Sequence, residues 1–316
     1  MSNVRRTPYF TLLLPVLLSL TQGLAAAAEN TIEEIVVTAD FRARSELELA
    51  TSVTVMTEAA IKSRSAQHFE ELVNVIPNVN YASGSNRARF FQIRGIGERS
   101  QFVAPINPSV GFLVDNVDFS GAATIATMMD VEQVEVLRGP QGTRYGANAL
   151  AGLINVKTND PQDQFAANLR LGAADYNTQT ISAMVTGPVT EAVSARLAVG
   201  SHRSDGYYEN SFLQTKKNNA QDEMSVRGKL SAEISASWRL DLSLSHVDID
   251  NGYDAFTLDN SRTTLSDEPG RDQQESLALA IDSSWQLENF DLKLILGLAD
   301  SNMEYAYDED WTFAGI

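Results

Sequence analysis

The residues whose types and spacing most suggest a binding function lie in the stretch VEQVEVLRGPQGTRYGANALAGLINVKT, from Val131 to Thr158. Its glycines, at positions 139, 142, 146 and 152, fall between two strand-like segments. A phosphate-binding loop would need G-x-x-x-x-G-K-[ST] between a strand and a helix. Here the turn reads GPQGTRY, and the chain then returns to strand-like sequence, GLINVKT. The glycines are therefore predicted to be turn positions with positive φ or close backbone packing.

Few other residues could carry catalysis or bind a metal. The chain has no Cys, so no disulfide or thiolate is possible, and its three His, at positions 68, 202 and 246, are not at ligand spacing. We therefore predict no catalytic residues, no metal site and no cofactor. The net charge of -17 argues against a nucleic-acid partner, because phosphate binding needs a basic surface.

The N-terminus has the features of an export signal. Arg5 and Arg6 precede an apolar run, Phe10 to Leu20, and small residues follow at Ala25 to Ala28. This order predicts a cleaved signal peptide over residues 1–28. The alternative is an uncleaved anchor helix, but the apolar run is short and contains Pro15. Export without Cys fits a bacterial envelope protein.

From about residue 165 onward, apolar and polar residues alternate strictly, which is typical of half-buried strands. The alternation is clearest over residues 224–234, 238–245 and 290–298, where Leu292, Leu294, Leu296 and Leu298 share one face. Weaker copies cover 167–173, 181–185, 193–199 and 277–285, and a further strand is predicted to begin near Met303. The sequence thus predicts about eight strands over residues 161–316.

The links between these strands favour a membrane barrel over a water-soluble sandwich. Residues 187–191, 235–237 and 286–289 are short links, whereas 201–222 and 249–274 are long and polar. Outer-membrane barrels have tight periplasmic turns and long external loops, with aromatic girdles at both interfaces. Trp238, Trp285 and Phe290 lie beside the short links. About eight strands would make a barrel filled by its own side chains, so an incomplete, wider barrel is expected.

The sequence pattern over residues 46–160 predicts a separate α+β domain with a mixed sheet. A helix is expected over residues 58–75, where Pro77 ends the pattern. Strands are expected at 89–94, 111–115, 131–138 and 152–157, separated by turn-like and polar segments.

Four segments, in order, resemble the N-terminal part of TonB-dependent outer-membrane receptors. They are IEEIVVTA at Ile32–Ala39, FFQIRGIG at Phe90–Gly97, VGFLVDNVDFSG at Val110–Gly121 and the glycine-rich stretch described above. The third departs from the family pattern, since Asn116 replaces the usual Gly. The resemblance covers about residues 29–316. It implies an α+β plug domain followed by antiparallel transmembrane β-barrel strands that form an incomplete barrel.

The resemblance also implies an energy-coupling partner. The segment before the polar linker, within residues 29–45, resembles a TonB box, which would add a strand to TonB of the inner-membrane complex. The alternative is an ordinary first strand of the plug. The residues predicted to bind TonB are Ile32, Glu33, Glu34, Ile35, Val36, Val37, Thr38 and Ala39.

The plug motifs are expected to be structural. By resemblance, Arg94 and Arg138 lie at the interface with the barrel wall and pair with barrel carboxylates, because a buried Arg is costly without a partner. The alternative is that each is a solvated surface Arg. The plug residues predicted to have structural roles are Arg94, Gly95, Asp115, Arg138, Gly139, Gly142, Gly146 and Gly152.

The expected function is active uptake of a scarce large ligand, most often a ferric siderophore in this family; cobalamin, haem and glycans remain open. Outer-membrane lipid and lipopolysaccharide are the expected surroundings. A signal transducer, a passive porin and a barrel enzyme are the alternatives, and no Ser–His pair supports the last. The candidate ligand contacts at the plug apex are Tyr81, Arg87, Arg89, Arg99, Gln101 and Phe102.

Overall fold

The computed structural model describes residues 36–38, 44–45, 51–83, 86–99 and 105–315. No helix in these ranges is long and apolar enough to cross a membrane. Several predicted features lie outside the described residues: the signal peptide at 1–28, the Ile32–Ile35 part and Ala39 of the predicted TonB box, most of the linker, and the ligand candidates Gln101 and Phe102.

The first part of the described chain is an α+β domain. It contains the helices α1 (Glu58–Ser63) and α2 (Gly142–Tyr145) and three 3₁₀ turns at Phe69–Val75, Ala123–Ile125 and Gly146–Asn148. Its strands are β1 (Val36–Val37), β2 (Arg44–Ser45), β3 (Ser52–Thr57), β4 (Val79–Tyr81), β5 (Phe91–Ile93), β6 (Val110–Val114), β7 (Val117–Asp118), β8 (Val131–Arg138) and β9 (Gly152–Thr158).

A five-stranded mixed sheet organises this domain, in the order β3-β8-β9-β6-β7. β6 and β9 are parallel, and the other neighbours are antiparallel. Val134, Val136 and Ile154 from its centre are fully buried against Phe69 and Phe112. Burying an aromatic or branched side chain of this size contributes about 1.5–3 kcal/mol, so this face of the sheet holds the core.

The prediction of one helix over residues 58–75 is wrong for the middle of that range. α1 ends at Ser63, and Ser65 has a positive φ of 52°. His68 then pairs with Thr127 as a β-bridge, with φ and ψ of -129° and 156°. This pairing requires extended backbone, so the helix cannot continue, and the chain resumes only as the 3₁₀ turn Phe69–Val75.

The second part is one antiparallel sheet of seven strands that follow the chain in order. They are β10 (Ala166–Ala174), β11 (Thr178–Thr190), β12 (Val193–Ser204), β14 (Gln221–Ser235), β15 (Trp238–Tyr253), β17 (Gly270–Gln286) and β18 (Asp291–Ala306). The two short strands β13 (Glu209–Asn210) and β16 (Thr263–Thr264) pair with each other in the loops. Among the described residues, β10 and β18 are edges, so the barrel is not closed.

This seven-stranded sheet, which we call the wall, has one apolar face and one polar face. Leu244, Leu279 and Leu298 are cross-strand neighbours, and all three are exposed on the side away from the first domain. The residues between them point toward that domain. This arrangement is expected when one face meets lipid and the other lines a lumen. The predicted fold class is confirmed.

The eighth predicted strand does not exist as a separate element. Met303 and Tyr305 belong to β18, which continues to Ala306 and pairs with β17 along its length. Asp300, Ser301 and Asn302 are turn-favouring residues, but here they stay in the ladder with β17. The change from leucines to polar residues marks the end of the exposed apolar face. A change of composition within one long strand therefore resembled the start of a second strand.

Short and long links also behave largely as predicted. At one end of the wall, residues 191–192, 236–237 and 287–290 are tight turns. Trp238 and Trp285 stack there with ring centroids 5.9 Å apart. At the other end, 205–220 and 254–269 are long loops, but 175–177 is short. We refer to these as the inner and outer ends.

A charge on the exposed leucine face tests whether that face meets lipid. Leu279 lies near the middle of β17, so Leu279→Arg is expected to destabilise the wall in a bilayer by about 2–4 kcal/mol, whereas Leu279→Val should change it little. The measurement is the urea midpoint of protein folded into lipid vesicles. Equal midpoints for the two variants would contradict a lipid-facing surface.

Candidate functional site

The glycine-rich stretch is a structural turn between two paired strands. β8 and β9 are antiparallel neighbours, and the helix between them, α2, has four residues. A Cβ at Gly152, where φ is 155°, would lie 2.3 Å from the Leu137 carbonyl oxygen, so no other residue fits. Gly139 also has a positive φ, 114°. Gly146 has a positive φ as well, whereas Gly142 opens α2 without one.

The turn between β6 and β7 accounts for the unusual Asn116. Asp115 and Asn116 both have positive φ, 46° and 67°, as a two-residue type I′ hairpin turn requires. Asn tolerates this conformation better than most residues other than Gly. The Asp115 carboxylate accepts hydrogen bonds from the Thr158 amide (2.9 Å) and hydroxyl (2.6 Å). The turn is thus tied to the end of β9.

Arg94 and Arg138 lie close to the signature glycines. Arg94 is exposed with a φ of 54°, and its Nη1 would be 3.8 Å from a Cβ at Gly139. Arg138 donates to the hydroxyls of Ser52 and Thr54 and to the Val53 carbonyl on the neighbouring strand. The two motifs therefore meet at one surface of the domain. Their predicted pairing with barrel carboxylates stays a prediction.

The main contact between domain and wall is made by alternate residues of one strand. Four consecutive lumen-facing residues of β14 each bind the first domain, and we call them the β14 ladder: Glu223, Ser225, Arg227 and Lys229. The first three are buried, and Lys229 is nearly so. Because side chains on one face of a strand repeat every two residues, the ladder extends for about 20 Å along the wall.

The outer end of the ladder is a buried ion cluster around Glu223. One oxygen of its carboxylate lies 2.8 Å from His68 Nε2 and 3.0 Å from Arg87 Nη1. Its other oxygen accepts a hydrogen bond from Asn251, at 2.9 Å. Arg87 is fully buried and also donates to Glu70, at 2.8 Å. An isolated charge in this position would be costly, so the domain and the wall satisfy each other.

This cluster corrects the prediction that Arg87 contacts ligand. Its guanidinium donates to Glu70, to Glu223 and to the Thr124 carbonyl, which leaves it inaccessible from the outer surface. No local pattern indicates this, because Arg87 lies in a polar stretch among residues predicted to be an apical loop. Its partner Glu223 is 136 positions away.

His68 is held in its charged form by the cluster. Burial and the Arg87 charge lower the pKa of His68. The Glu223 carboxylate, together with hydrogen bonds to Glu223 and Glu71, outweighs them and raises this pKa to about 9. A protonated imidazole therefore bridges the domain and the wall at neutral pH.

The middle and inner end of the ladder complete the contact. Arg227 donates to the carbonyls of Thr127 and Met129. Lys229 binds Asp115 at 3.1 Å and Asp160 at 3.2 Å. Burial raises the pKa of Asp115, but the Lys229 charge and the hydrogen bonds from Thr158 outweigh it, and the net pKa is lowered.

The neighbouring strand adds a further buried pair. On β12, Arg196 binds Asp130 of the first domain, with Nε 2.7 Å from Oδ2. Asp130 has a positive φ of 55°, and Asn159 donates to its carboxylate at 3.1 Å. The first domain thus contacts the wall through charges on two adjacent strands.

The described ligand candidates have different environments. Tyr81 is 42% exposed, with its ring 6.2 Å from that of Phe91. Arg89 is half-buried and donates to the Gly121 carbonyl, at 2.7 Å. Arg99 is exposed, and its Nη2 is 3.3 Å from the Gly95 carbonyl oxygen. Their role in ligand binding stays a prediction.

The described part of the predicted TonB box is docked on the first domain. Val37 is fully buried against Leu113, Leu137 and Leu153, on the sheet face opposite the main core. The amide and hydroxyl of Thr38 donate to Glu135, at 2.7 and 2.9 Å. The Val36 carbonyl accepts from Gln133, at 3.0 Å.

Glu135 is the centre of this second buried polar cluster. It is fully buried, and besides Thr38 it accepts hydrogen bonds from Gln133 (2.6 Å) and Asn155 (3.1 Å). The sequence reasoning missed it, since a Glu in alternation within β8 looks like a solvent-facing residue. Its hydrogen bonds to Thr38 show that β1 packs against this face of the sheet.

Two cavities separate the first domain from the wall. One, of about 240 Å³, opens at the inner end beside Thr38 and Lys229. The other, of about 540 Å³, lies between α1 and strands β10–β12. Within the described ranges, no group of three His, Cys, Asp or Glu is arranged to hold a metal ion.

Comparison with known proteins identifies the first domain. Residues 45–153 match the family model of the TonB-dependent receptor plug domain. The chain is 22% identical over 286 residues to the vitamin B12 transporter BtuB of Vibrio vulnificus, covering 88% of this chain and 44% of that protein. It is 24% identical to the ferric enterobactin receptor PirA of Pseudomonas aeruginosa, covering 84% of this chain and 42% of that protein.

A solved structure has the same fold. The ferric yersiniabactin uptake receptor FyuA from Yersinia pestis superposes with a TM-score of 0.72, at 20% identity, over 82% of this chain and 42% of that one. The chain therefore spans less than half the length of each of these three proteins.

The ion cluster predicts different effects for two adjacent carboxylates. Glu223→Gln leaves Arg87 and His68 without their shared anion and is expected to cost about 3–5 kcal/mol. Asp222→Asn is the matched control: it removes an exposed pair with Arg203, which should be worth at most about 1 kcal/mol. The readouts are the urea midpoint in lipid vesicles and protease cleavage of the first domain. Similar losses for both variants would mean that the cluster does not hold the domain.

The same cluster predicts a pH dependence. His68 has a raised pKa, about 9 against the ordinary value of 6.5, so it binds its proton more tightly when folded. Its contribution to stability is complete below pH 6.5 and is lost as the pH rises through 9. The urea midpoint of the unaltered protein should fall over this alkaline range by more than that of His68→Gln. Parallel pH curves for the two proteins would refute the assignment.

Proposed function

The plug domain at residues 45–153 and the barrel strands that follow it are those of a TonB-dependent outer-membrane receptor, and we propose that this receptor actively takes up a scarce large ligand. The observation that carries the proposal is the ion-paired contact between the plug and the polar face of the wall. The plug is paired to the polar face of the described wall, and we propose that a large ligand passes only after an energised shift of the plug.

We propose that the energy enters through residues 32–39. An extended segment can add a strand to a partner's sheet, where main-chain hydrogen bonds supply affinity. Val36 and Val37 already form a strand, and the Val36 side chain is 37% exposed. The expected partner is TonB, which would pull on this segment and loosen the plug. The docking of Val37 and Thr38 on the plug supports mechanical coupling between the two.

The ligand proposed is a ferric siderophore. Two of the similar proteins are named for ferric siderophores, enterobactin and yersiniabactin. Arg89 and Arg99 offer positive charge near the apex of the plug, where an anionic chelate would arrive. In the outer loops, the ring centroids of Tyr207 and Tyr208 are 4.7 Å apart, and this pair of rings suits contact with aromatic groups. These features together favour an anionic, aromatic or carboxylate-bearing iron chelate.

Cobalamin is the second candidate, because a similar protein that matches 88% of this chain is a vitamin B12 transporter. Its corrin ring would use the aromatic loops more than the arginines. Haem and glycans are weaker candidates, since no feature of the described residues favours them specifically.

We propose an outer-membrane location, after cleavage of a signal peptide at residues 1–28. The exposed leucines of the wall would contact lipid and, in the outer leaflet, lipopolysaccharide. Trp238 and Trp285 at the inner end would lie at the periplasmic interface. The proposed role is transport and not catalysis, in keeping with the receptors and transporters that the chain resembles.

The proposal is tested by accumulation of labelled compounds in cells that express the complete reading frame. The panel is a ferric catecholate, a ferric hydroxamate, ferric citrate and cyanocobalamin. One iron chelate should accumulate, and both loss of TonB and deletion of residues 32–39 should abolish accumulation but not surface binding. Val36→Pro should act like the deletion, because Pro removes a strand donor, and Val36→Ile is the matched control.

Accumulation that survives the deletion would indicate a passive porin. Accumulation of cyanocobalamin alone would replace the siderophore assignment with cobalamin. A panel with no accumulated member would reject iron-chelate and cobalamin uptake together.

A further inference from the structure

The plug meets the described wall in three different ways. Along β14 the contact is the ladder of charged and polar groups. Along β15–β18 it is close-packed: Val247, Ile249, Ala278 and Ala280 join the core of the plug. Along β10–β12 the two surfaces separate and enclose the cavity of about 540 Å³. Arg196 of β12 still pairs with Asp130 on this side, so the cavity lies beside an ion pair that holds the plug. It is larger than the cavity of about 240 Å³ at the inner end.

The cavity has a mixed lining of polar and apolar residues. On the wall side it is lined by alternate residues of β10 and β11, which share the lumen-facing side with Arg196 of β12. The uncharged polar residues in the lining are Ser65, Gln67, Asn168, Thr180 and Ser182. A volume of this size accommodates a substantial part of a small-molecule ligand, since such pockets measure about 300–1,000 Å³.

One positive charge in the lining lacks a counter-ion. Of the five charged residues that line the cavity, Lys62 binds Glu58 at 2.6 Å and Arg196 binds Asp130. Arg170 has no ion pair or hydrogen bond from its side chain among the residues that the structure describes, and it is exposed toward the cavity. The lining therefore has a net positive charge that a passing anion could neutralise.

We propose that this cavity is the section of the transport path inside the lumen, and that Arg170 contacts an anionic ligand there. The proposal rests on the uptake proposed above and adds the route of the ligand and the sign of its charge. The ligand class is an oxygen-rich anion, such as an iron chelate with carboxylate or catecholate groups. The plug stays bound to the β14 ladder while the ligand passes on the β10–β12 side.

Charge-selective labelling tests the anion site without any ligand. The chain has no Cys, so Ser182→Cys introduces the only thiol into the cavity. Negatively charged methanethiosulfonate reagents should label it severalfold faster than positively charged ones. Arg170→Gln should remove this preference and Arg170→Lys should keep it. Leu258→Cys, 67% exposed in an outer loop, is the control that should label without dependence on residue 170.

Blocking and tethering test the route. A bulky maleimide on Ser182→Cys should abolish uptake of whichever panel compound the unmodified receptor accumulates, and the same adduct on Leu258→Cys should not. In the β14 ladder, outside the cavity lining, Thr127 Oγ1 and Ser225 Oγ lie 3.3 Å apart. The double variant Thr127→Cys, Ser225→Cys should therefore join the plug to β14 when oxidised, and uptake should continue in the oxidised protein.

The outcomes separate this inference from the proposed function. Loss of uptake in the oxidised double variant, restored by reduction, would mean that the plug leaves the wall as a body and would overturn the inference. Uptake that continues after maleimide modification would overturn it too. So would a labelling preference for negative reagents that is the same with Arg170 and with Gln at that position. A receptor that accumulates no panel compound would refute the proposed function, while the labelling preference would still report whether the cavity attracts anions.

Discussion

A buried charge must be paired, and this constraint fixes how the plug sits on the wall. Arg87 is fully buried, and its charge is paired with Glu70 from the plug and Glu223 from the wall. Neither partner would be stable in that environment alone, since an uncompensated buried charge costs several kcal/mol. The plug and β14 therefore depend on each other, and one relative position satisfies both.

The two faces of the wall explain why this interface is polar. Lipid requires apolar side chains outside, so alternation leaves the polar residues on the inside, where a plug must meet them. The charges of the β14 ladder are buried, so they depend on the plug for partners. The contact of Val247 and Ala278 with the plug is apolar and packed. The described wall thus combines a charged contact, a packed contact and an open cavity around one plug, and the proposed route follows the cavity beside β10–β12.

On the other side of the plug, the docked strand β1 also binds a buried carboxylate. Glu135 is fully buried, and its carboxylate accepts hydrogen bonds from the amide and hydroxyl of Thr38. In the proposed mechanism the strand exchanges these hydrogen bonds for those of a partner sheet. Thr38 also lines the inner cavity of about 240 Å³, so in the proposed mechanism a pull on the strand would act beside that cavity.

Features that depend on local periodicity and backbone conformation could be predicted from the sequence. Alternating leucines fixed which face of β17 and β18 is apolar, because side chains on a strand alternate with period two. Gly139, Gly146 and Gly152 of the turn before β9 were predictable because few other residues tolerate their positive φ, whereas the prediction was wrong for Gly142, which has neither a positive φ nor close packing. The helix over residues 58–75 was only half predictable, since the bridge between His68 and Thr127 interrupts it from outside the segment.

Tertiary structure alone decided which charges are buried and with what partners. His68 and Glu223 are 155 positions apart, and nothing local in either segment indicates the contact. Arg87 looked like an apical cation and Glu135 like a surface residue, and each is buried by an element distant in sequence. Alternation limits a residue to one face of a strand, but what covers that face depends on packing. The fold class could therefore be predicted from the sequence, whereas the ion-paired interface that positions the plug could not.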